Sequence, residues 1–431
     1  MATSKSIFFI RLIWALLVGA WALSPAFGQV LNVEKLKSTS ILEIARTGAS
    51  QDVIVEFESG GIELKNDSER TKVMREHDAA RTQALQRRAP TQTIDEDAHR
   101  QDENLRQALH SQLDAIKQAT FADHLSGNCT IVRDFSSMPT ALVRVPDYAS
   151  LLKLLANQNV KRVSADEMAH LSANWPSSYS DVSIVGSDVK KGVNGYKGTG
   201  TRVVVVDTGA YLAAIPGWDG SRNGCLPYRV ASSEFVETNL AVGQTVNSVN
   251  CRIWSMYNLA DADAPCAAPV YIDGSNSPCH GAEWQHATLV DEVVAKVAPS
   301  TYITNLQVYD SSGASRKSIA LSAFDWVFDH RAESPRIVAL NYSSTVGSTV
   351  YSASCPESDF ASKVERLRGV GIITVAAAGN SASRIGIGEP ACVPGVIAVG
   401  ATTDSATPAV KYSAASNNCS DPALGVDQVP C

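Results

Sequence analysis

Short apolar runs alternate with helical patterns through the second half of the chain. Each run is five to seven residues long, as in strands buried on both faces, and the segments between carry apolar residues at helical spacing. This alternation predicts an α/β fold, a mostly parallel sheet with helices on both faces. The predicted strands are 202–206, 302–308, 336–340, 371–376 and 395–399, and the predicted helices are 287–296, 319–330 and 359–368.

Residues 29–172 have a different composition, which is rich in charged residues and helix formers. The order of patterns predicts a small α+β domain with an enlarged helical insert that is broken near Pro90. A Ser-rich stretch at 173–197 suits a linker. The predicted segments are a strand at 52–57, helices within 66–120, strands at 130–135 and 141–145, a helix at 148–157 and a strand at 160–163.

The first residues have the pattern of an export signal. Lys5 and Arg11 supply positive charge, and Leu12–Leu23 form an apolar run. Ala26–Gly28 then offer the small residues that a signal peptidase requires. The apolar run is short for a membrane span, which needs about 20 residues. We therefore predict a cleaved signal peptide at 1–28, a secreted product (extracellular or periplasmic) and no stable membrane anchor.

Composition narrows the functional classes further. The chain has 37 Lys and Arg against 44 Asp and Glu, a net charge of −7, which gives no electrostatic basis for binding nucleic acid. Hydrophobic residues make up 45%, as in a globular fold. Nine cysteines are scattered without a Cys-x-x-Cys pair, and eight of them follow residue 200. In an oxidising compartment they allow up to four disulfides and leave Cys129 as the odd one.

Three polar residues stand at the ends of predicted elements. Asp207 follows the apolar run Val203–Val206. His286 lies at the start of a predicted helix, and Asn380 follows the strand at 371–376. In open parallel sheets, functional residues collect at the carboxyl ends of the strands. A carboxylate there can orient an imidazole, and an amide can donate a hydrogen bond to a developing oxyanion.

In this order the motifs resemble those of the subtilisin-like serine peptidases, the subtilase family, which runs aspartate, histidine, asparagine and serine along the chain. VVVVDTG resembles the aspartate motif, GIITVAAAGN the asparagine motif, and ACVPGVIAVGATT the strand that follows it. The resemblance spans 182–415. It implies that Asp207 and His286 are catalytic and that Asn380 belongs to an oxyanion hole.

The resemblance extends to the substrate cleft and to the N-terminal domain. IVALNYSS is similar to the strand that lines the family's cleft, which implies substrate binding at Tyr342, Ser343 and Ser344. The block at 50–170 is similar to the family's propeptide, a cleaved chaperone and inhibitor. The implied domains are a signal peptide at 1–28, an inhibitory propeptide at 29–172 and a subtilisin-like peptidase domain at 173–431.

The implied function is that of a zymogen, an endopeptidase precursor that hydrolyses protein or peptide substrates by acyl transfer. Its own propeptide is the implied intramolecular inhibitor. The family requires no cofactor. Calcium sites are frequent in it, but the sequence of this chain assigns no calcium ligand.

The histidine motif departs from the family's pattern, which is His-Gly-Thr-His followed by small residues. His286 is followed by Ala287 and, further on, by Asp291 and Glu292. His280 does precede a glycine, so it stays the alternative. We favour His286 because the helix after it reaches the next strand without an insertion.

The family's nucleophile lies in Gly-Thr-Ser-Met-Ala or a close variant, and no Gly-Thr-Ser occurs in these 431 residues. We therefore expect a peptidase domain that is C-terminally incomplete and a chain that is inactive as written. A non-catalytic peptide-binding decoy is the alternative. A metalloprotease using His280, Glu283 and His286 is disfavoured because neither His-Glu-x-x-His nor His-x-x-Glu-His is present. An acyl hydrolase of another fold would need Gly-x-Ser-x-Gly, which does not occur.

Overall fold

The structure is a computed structural model of the chain. The predicted signal peptide, most of the predicted linker and the alternative histidine His280 lie outside the residues that it describes. The described residues are 32–171, 187–188, 192–210, 228–229, 234–235, 253–260, 264–265, 284–310, 312–333, 335–381, 383, 385–400, 419–421 and 426–429.

The N-terminal part confirms the predicted α+β order, with two long helices separated around Pro90. Its elements are α1 (Thr39–Arg46), β1 (Gln51–Phe57), α2 (Ile62–Gln86), α3 (Gln92–Phe121), β2 (Thr130–Phe135), β3 (Thr140–Val145), α4 (Tyr148–Ala156) and β4 (Val160–Ala165), with short 3-10 helices at Val33–Lys35 and Ala122–His124. The strands form an antiparallel sheet in the order β2-β3-β1-β4.

This N-terminal sheet is apolar on both faces. Val53 and Val55 of β1 share a buried cluster with Leu151 and Leu154 of α4. Ile54, which lies between the two valines, points to the opposite face and belongs to the core of the C-terminal part. One face of the sheet is therefore covered by its own helices and the other by the rest of the chain.

The C-terminal part is built on six parallel strands in one sheet. From the end of the N-terminal part onward, the elements are β5 (Ala169–Leu171), β6 (Thr201–Asp207), β7 (Ile253–Asn258), α5 (Trp284–Val297), β8 (Tyr302–Gln307), α6 (Lys317–His330), β9 (Arg336–Tyr342), β10 (Ser344–Tyr351), α7 (Ala361–Gly369), β11 (Ile373–Ala377), β12 (Ile387–Glu389) and β13 (Val396–Val399). The parallel strands are ordered β7-β8-β6-β9-β11-β13.

Short strand pairs complete the described structure. Ala264–Pro265 adds an antiparallel edge to β7. Strand β10 pairs antiparallel with β5 and with β12. The other antiparallel pairs are Ser187–Asp188 with Gly192–Val193, Tyr228–Arg229 with Glu234–Phe235, and Cys419–Asp421 with Val426–Val429.

Helices cover both faces of the parallel sheet, as predicted. Val204 and Val206 of β6 lie in the same core as Phe324 of α6. Asp207 points to the other face, because side chains alternate along a strand, and there it contacts His286 of α5. Burial on both sides explains the unbroken apolar run Val203–Val206 that precedes Asp207 in β6. Among the helices described, none is long and apolar enough to cross a bilayer.

One disulfide lies in the described ranges, between Cys355 and Cys392, whose Cα atoms are 5.3 Å apart. It links the loop before α7 to the segment between β12 and β13, and the Cys355 N–H also donates to the Cys392 carbonyl at 3.0 Å. Cys129 is buried and unpaired, which agrees with its position as the odd cysteine. Burial raises the pKa of the Cys129 thiol to about 12.

The helical insert of the N-terminal part is held to the C-terminal part by a buried ion cluster. Asp67 of α2 accepts a hydrogen bond from Arg366 Nε at 2.7 Å and lies 3.1 Å from Arg331 Nη2. Arg366 also lies over the Phe328 ring, 4.0 Å from its centroid. Burial and the nearby Arg70 charge lower the pKa of Arg331 to about 10, so the Asp67 carboxylate offsets the cost of burying these cations.

We expect Asp67→Ala to lower the free energy of unfolding by about 3–5 kcal/mol, because Arg366 and Arg331 would stay buried without their counter-charge. Urea denaturation of the full chain measures this loss. The control is Asp78→Ala, which removes the partner of Arg336 in a pair whose side chains are 51% and 42% exposed. The control should cost at most about 1 kcal/mol, and equal losses for both variants would contradict the assignment.

Candidate active site

Asp207 is the last residue of β6, at the carboxyl end of the parallel sheet. Its side chain is fully buried. The Thr208 N–H donates to Asp207 Oδ1 at 2.7 Å. Gly209 follows with φ of 80°, a conformation that glycine adopts without strain. The carboxylate is thus fixed at the point where the strand emerges.

His286 is the third residue of α5 and is 7% exposed. Its Nδ1 lies 2.7 Å from Asp207 Oδ1 and 2.9 Å from Asp207 Oδ2. Because an ionised carboxylate only accepts hydrogen bonds, Nδ1 carries the proton and donates it. The Ala287 N–H donates to Thr208 Oγ1 at 3.3 Å, which ties the first turn of α5 to the same strand end. The structure therefore brings the predicted carboxylate and imidazole into direct contact.

Asn380 lies three residues beyond the end of β11, and its side chain is exposed. Its Nδ2 donates to the Leu171 carbonyl oxygen at 3.5 Å. The preceding Gly379 has φ of 103°, and a Cβ atom there would come within 3.0 Å of Thr345 Cγ2. Glycine thus permits the close approach to β10 that aims the Asn380 amide at the end of β5.

The three predicted substrate-binding residues lie where β9 passes into β10. Ser344 is buried, and its Oγ accepts a hydrogen bond from the Tyr309 hydroxyl at 3.0 Å. Ser343 Oγ accepts from Asn341 Nδ2 at 2.8 Å. The Tyr342 side chain is fully buried in the core, which leaves its backbone as the part that could meet a bound chain.

A segment of the N-terminal part already lies along β10. Strand β5 pairs antiparallel with β10, with Ala169 opposite Val346 and Leu171 opposite Ser344. The Leu171 side chain is half-buried and packs against the core of the C-terminal part. Sequence reasoning did not find β5, because a three-residue strand has no periodicity to detect.

A second buried carboxyl lies near the pair, and the sequence showed it only as a departure from the family's motif. Asp291 of α5 is fully buried. Burial and the negative charge of Asp207 raise its pKa well above the ordinary value. The neighbouring Glu292 instead forms an ion pair with Lys296 along the same helix. The sequence did carry one signal for Asp291, namely a charged residue at a helix position where the family has small residues.

No group of three or more His, Cys, Asp or Glu side chains in the described part of the chain is placed to hold a metal ion. Of the residues in the metalloprotease alternative, His286 contacts Asp207 instead. His280 and Glu283 lie outside the described residues.

Comparison with known proteins agrees with this geometry. Residues 264–427 match the model of the subtilase family. The chain is 29% identical to a subtilisin of Bacillus pumilus over 165 residues, which is 38% of this chain and 55% of that protein. It is also 29% identical to subtilisin E of Bacillus subtilis (strain 168) over 144 residues, which is 33% of this chain and 35% of that protein. Subtilisin NAT of Bacillus subtilis subsp. natto matches with the same identity and coverage.

The aligned segments span about half or less of the length of these curated relatives. The matched residues include His286 and Asn380, and Asp207 precedes them. The parallel α/β sheet brings Asp207 to His286 within that frame. The family match and this sheet together show that residues 264–427 are similar to the subtilase family, the subtilisin-like serine peptidases.

Proposed function

We propose that this chain is the precursor of a secreted subtilisin-like endopeptidase that cleaves proteins or peptides by acyl transfer. The observation that carries the proposal is the contact of His286 Nδ1 with both oxygens of Asp207, at 2.7 and 2.9 Å. Such a buried pair at a strand end is suited to general acid–base work. The reaction needs no cofactor, and the N-terminal signal pattern supports export to the extracellular or periplasmic space.

In the proposed reaction, the Asp207 carboxylate holds the His286 imidazole with its proton on Nδ1. Nε2 then takes the proton of an attacking serine and later delivers it to the leaving amine, while the carboxylate stabilises the imidazolium. The Asn380 amide donates to the oxyanion of the tetrahedral intermediate. Since the family's serine motif is not among these residues, we propose that the chain as written does not hydrolyse peptides and that hydrolysis requires a form that carries such a serine.

We also propose that the predicted propeptide at 29–172, up to and including β5, acts as an intramolecular inhibitor. Strand β5 lies on β10 as an added antiparallel strand, as an extended substrate could. The Leu171 carbonyl faces the amide of Asn380 at 3.5 Å, which is where a reacting carbonyl would need a donor. A substrate that requires β10 would therefore have to displace β5.

The residues just before β5 support this inhibitory role by fixing the chain at the edge of the cleft. Asp166 accepts hydrogen bonds from the Ser318 N–H at 2.8 Å and from the Ser318 hydroxyl at 2.9 Å, at the start of α6. Lys317 Nζ donates to Glu167 at 2.8 Å. Charged hydrogen bonds of this kind are the stronger ones, so β5 is held by more than its own strand pairing.

A peptide-binding decoy is the second candidate function. It is favoured by the absence of the serine motif together with the pairing of β5 on β10, a surface that binds an extended chain without any chemistry. The two functions differ in the fate of a bound peptide. A decoy retains bound peptides intact, whereas the endopeptidase cleaves them once the nucleophile is present.

The first prediction concerns the acid–base pair in a form of the protein that carries the nucleophilic serine. His286→Ala and Asp207→Asn should each lower kcat/KM for peptide hydrolysis by about 10⁴-fold or more, because proton transfer from the nucleophile is lost. The control is His330→Gln on α6, whose ring stacks on Trp326 with centroids 3.8 Å apart. This control should leave kcat/KM unchanged. Hydrolysis that survives His286→Ala at the wild-type rate would exclude this pair, and a product that binds peptides intact would favour the decoy.

The second prediction concerns maturation. Processing of the full-length protein should release a mature chain that begins at Ser172, because the Leu171 carbonyl is the one in contact with Asn380. N-terminal sequencing and intact mass measure this terminus. Leu171→Asp should loosen β5, because Leu171 packs against the core, whereas Leu85→Asp alters a side chain that is 56% exposed and should leave processing unchanged. A mature protein that still carries β5 would contradict the proposal.

A further inference from the structure

Asp291 and Asn305 form a buried polar pair on the same side of the sheet as Asp207. Asp291 Oδ2 accepts a hydrogen bond from Asn305 Nδ2 at 2.6 Å. Asp291 is fully buried, and Asn305 of β8 is 1% exposed. In the parallel register, Asn305 lies opposite Val205 and Gln307 opposite Asp207. Since residues two apart share a face, Asn305 and Asp207 both face α5.

The two carboxyl groups on this face differ in charge. Burial and the negative charge of Asp207 raise the pKa of Asp291 well above the ordinary value. Two carboxylates that share a buried site cannot both ionise at low cost. Asp207 has the imidazole of His286 and the Thr208 N–H as donors, so the negative charge is more stable on Asp207 than on Asp291. Of the two carboxyls, Asp291 is therefore the one whose neutral form the site favours.

The unpaired acceptors of this pair also favour a protonated Asp291. Asp291 Oδ1 and Asn305 Oδ1 are both buried, and neither has a hydrogen-bond partner within the described ranges. An ionised Asp291 could offer only acceptors. A protonated carboxyl has one O–H donor, which turns one of these two acceptors into a donor. Protonation also avoids the cost of burying an ionised carboxylate without a counter-charge.

We propose that Asp291 is a positioning residue for the His286–Asp207 pair. It accepts the hydrogen bond of the Asn305 amide and stays neutral, so that both Asp207 oxygens and their negative charge remain available to His286. The inference rests on the proposed role of that pair and deepens it. Without Asp291, the Asn305 amide is a buried donor that needs an acceptor, and the Asp207 carboxylate lies on the same face of the sheet. A hydrogen bond from Asn305 would offset part of the charge that stabilises the imidazolium.

The test is the titration of His286 in the full chain, followed by NMR of labelled histidine, for Asp291→Ala, Asp291→Asn and Asp291→Ala/Asn305→Leu. Asp291→Ala should lower the midpoint of His286 by about one pH unit, a tenfold change in proton affinity. Asp291→Asn is neutral, keeps an acceptor for Asn305 and should restore the wild-type midpoint. The double variant removes the donor as well and should also restore it. Glu292→Gln, the next residue, is the control and should change nothing.

Two results would overturn the proposal. An unchanged midpoint in Asp291→Ala would leave Asp291 with a structural role alone. An equal drop in Asp291→Asn would mean that Asp291 is ionised and acts through its charge. The titration needs no substrate and no nucleophile, so its failure is separate from a failed peptidase assay.

If Asp291→Ala does not fold, the pH dependence of stability decides. A buried carboxyl with a raised pKa loses stability as pH rises above the ordinary value near 4, because the unfolded chain ionises first. The unfolding constant of the wild type should therefore rise about tenfold per pH unit relative to that of Asp291→Asn, until Asp291 itself ionises. A ratio that stays constant between pH 4 and 8 would contradict the proposal.

Discussion

The contact between the Asp207 carboxylate and the His286 imidazole joins two residues that are 79 positions apart in the chain and meet only in the folded sheet. Strand β6 lies in the interior of the parallel sheet, and α5 packs across its end. A buried carboxylate is costly unless donors surround it, and here the Thr208 N–H and the imidazole supply them. Each partner therefore stabilises the position of the other, and the site exists only as long as α5 stays on the sheet.

Apolar and charged contacts both hold the N-terminal part against the C-terminal part. Its sheet is apolar on both faces, so leaving the second face in water would expose Ile54 and its neighbours. The C-terminal part in turn buries Arg366 and Arg331, which take their counter-charge from Asp67. The same docking carries β5 onto β10. Occupation of the cleft and the stability of the interface are consequently coupled.

Much of the fold could be predicted from the sequence, because strands and helices have local periodicity. The observed β2 has the predicted bounds, Thr130–Phe135, and β6 is visible as a run of valines. The side-chain environment was less predictable. The ring of Tyr342, a predicted substrate-binding residue, lies in the core because alternate residues of β9 point inward, which the sequence pattern alone did not show. The proposed role of Asp291 depends on its hydrogen bond to Asn305 of β8. A contact between two separate elements leaves no pattern in the local sequence.

The tautomer of His286 tests the central claim most directly. Nitrogen-15 NMR of the full chain, with labelled histidine, reports which ring nitrogen carries the proton in the neutral form. If Asp207 orients the ring, the proton lies on Nδ1, and Asp207→Ala removes that preference. A neutral ring protonated on Nε2, unchanged by Asp207→Ala, would contradict the account.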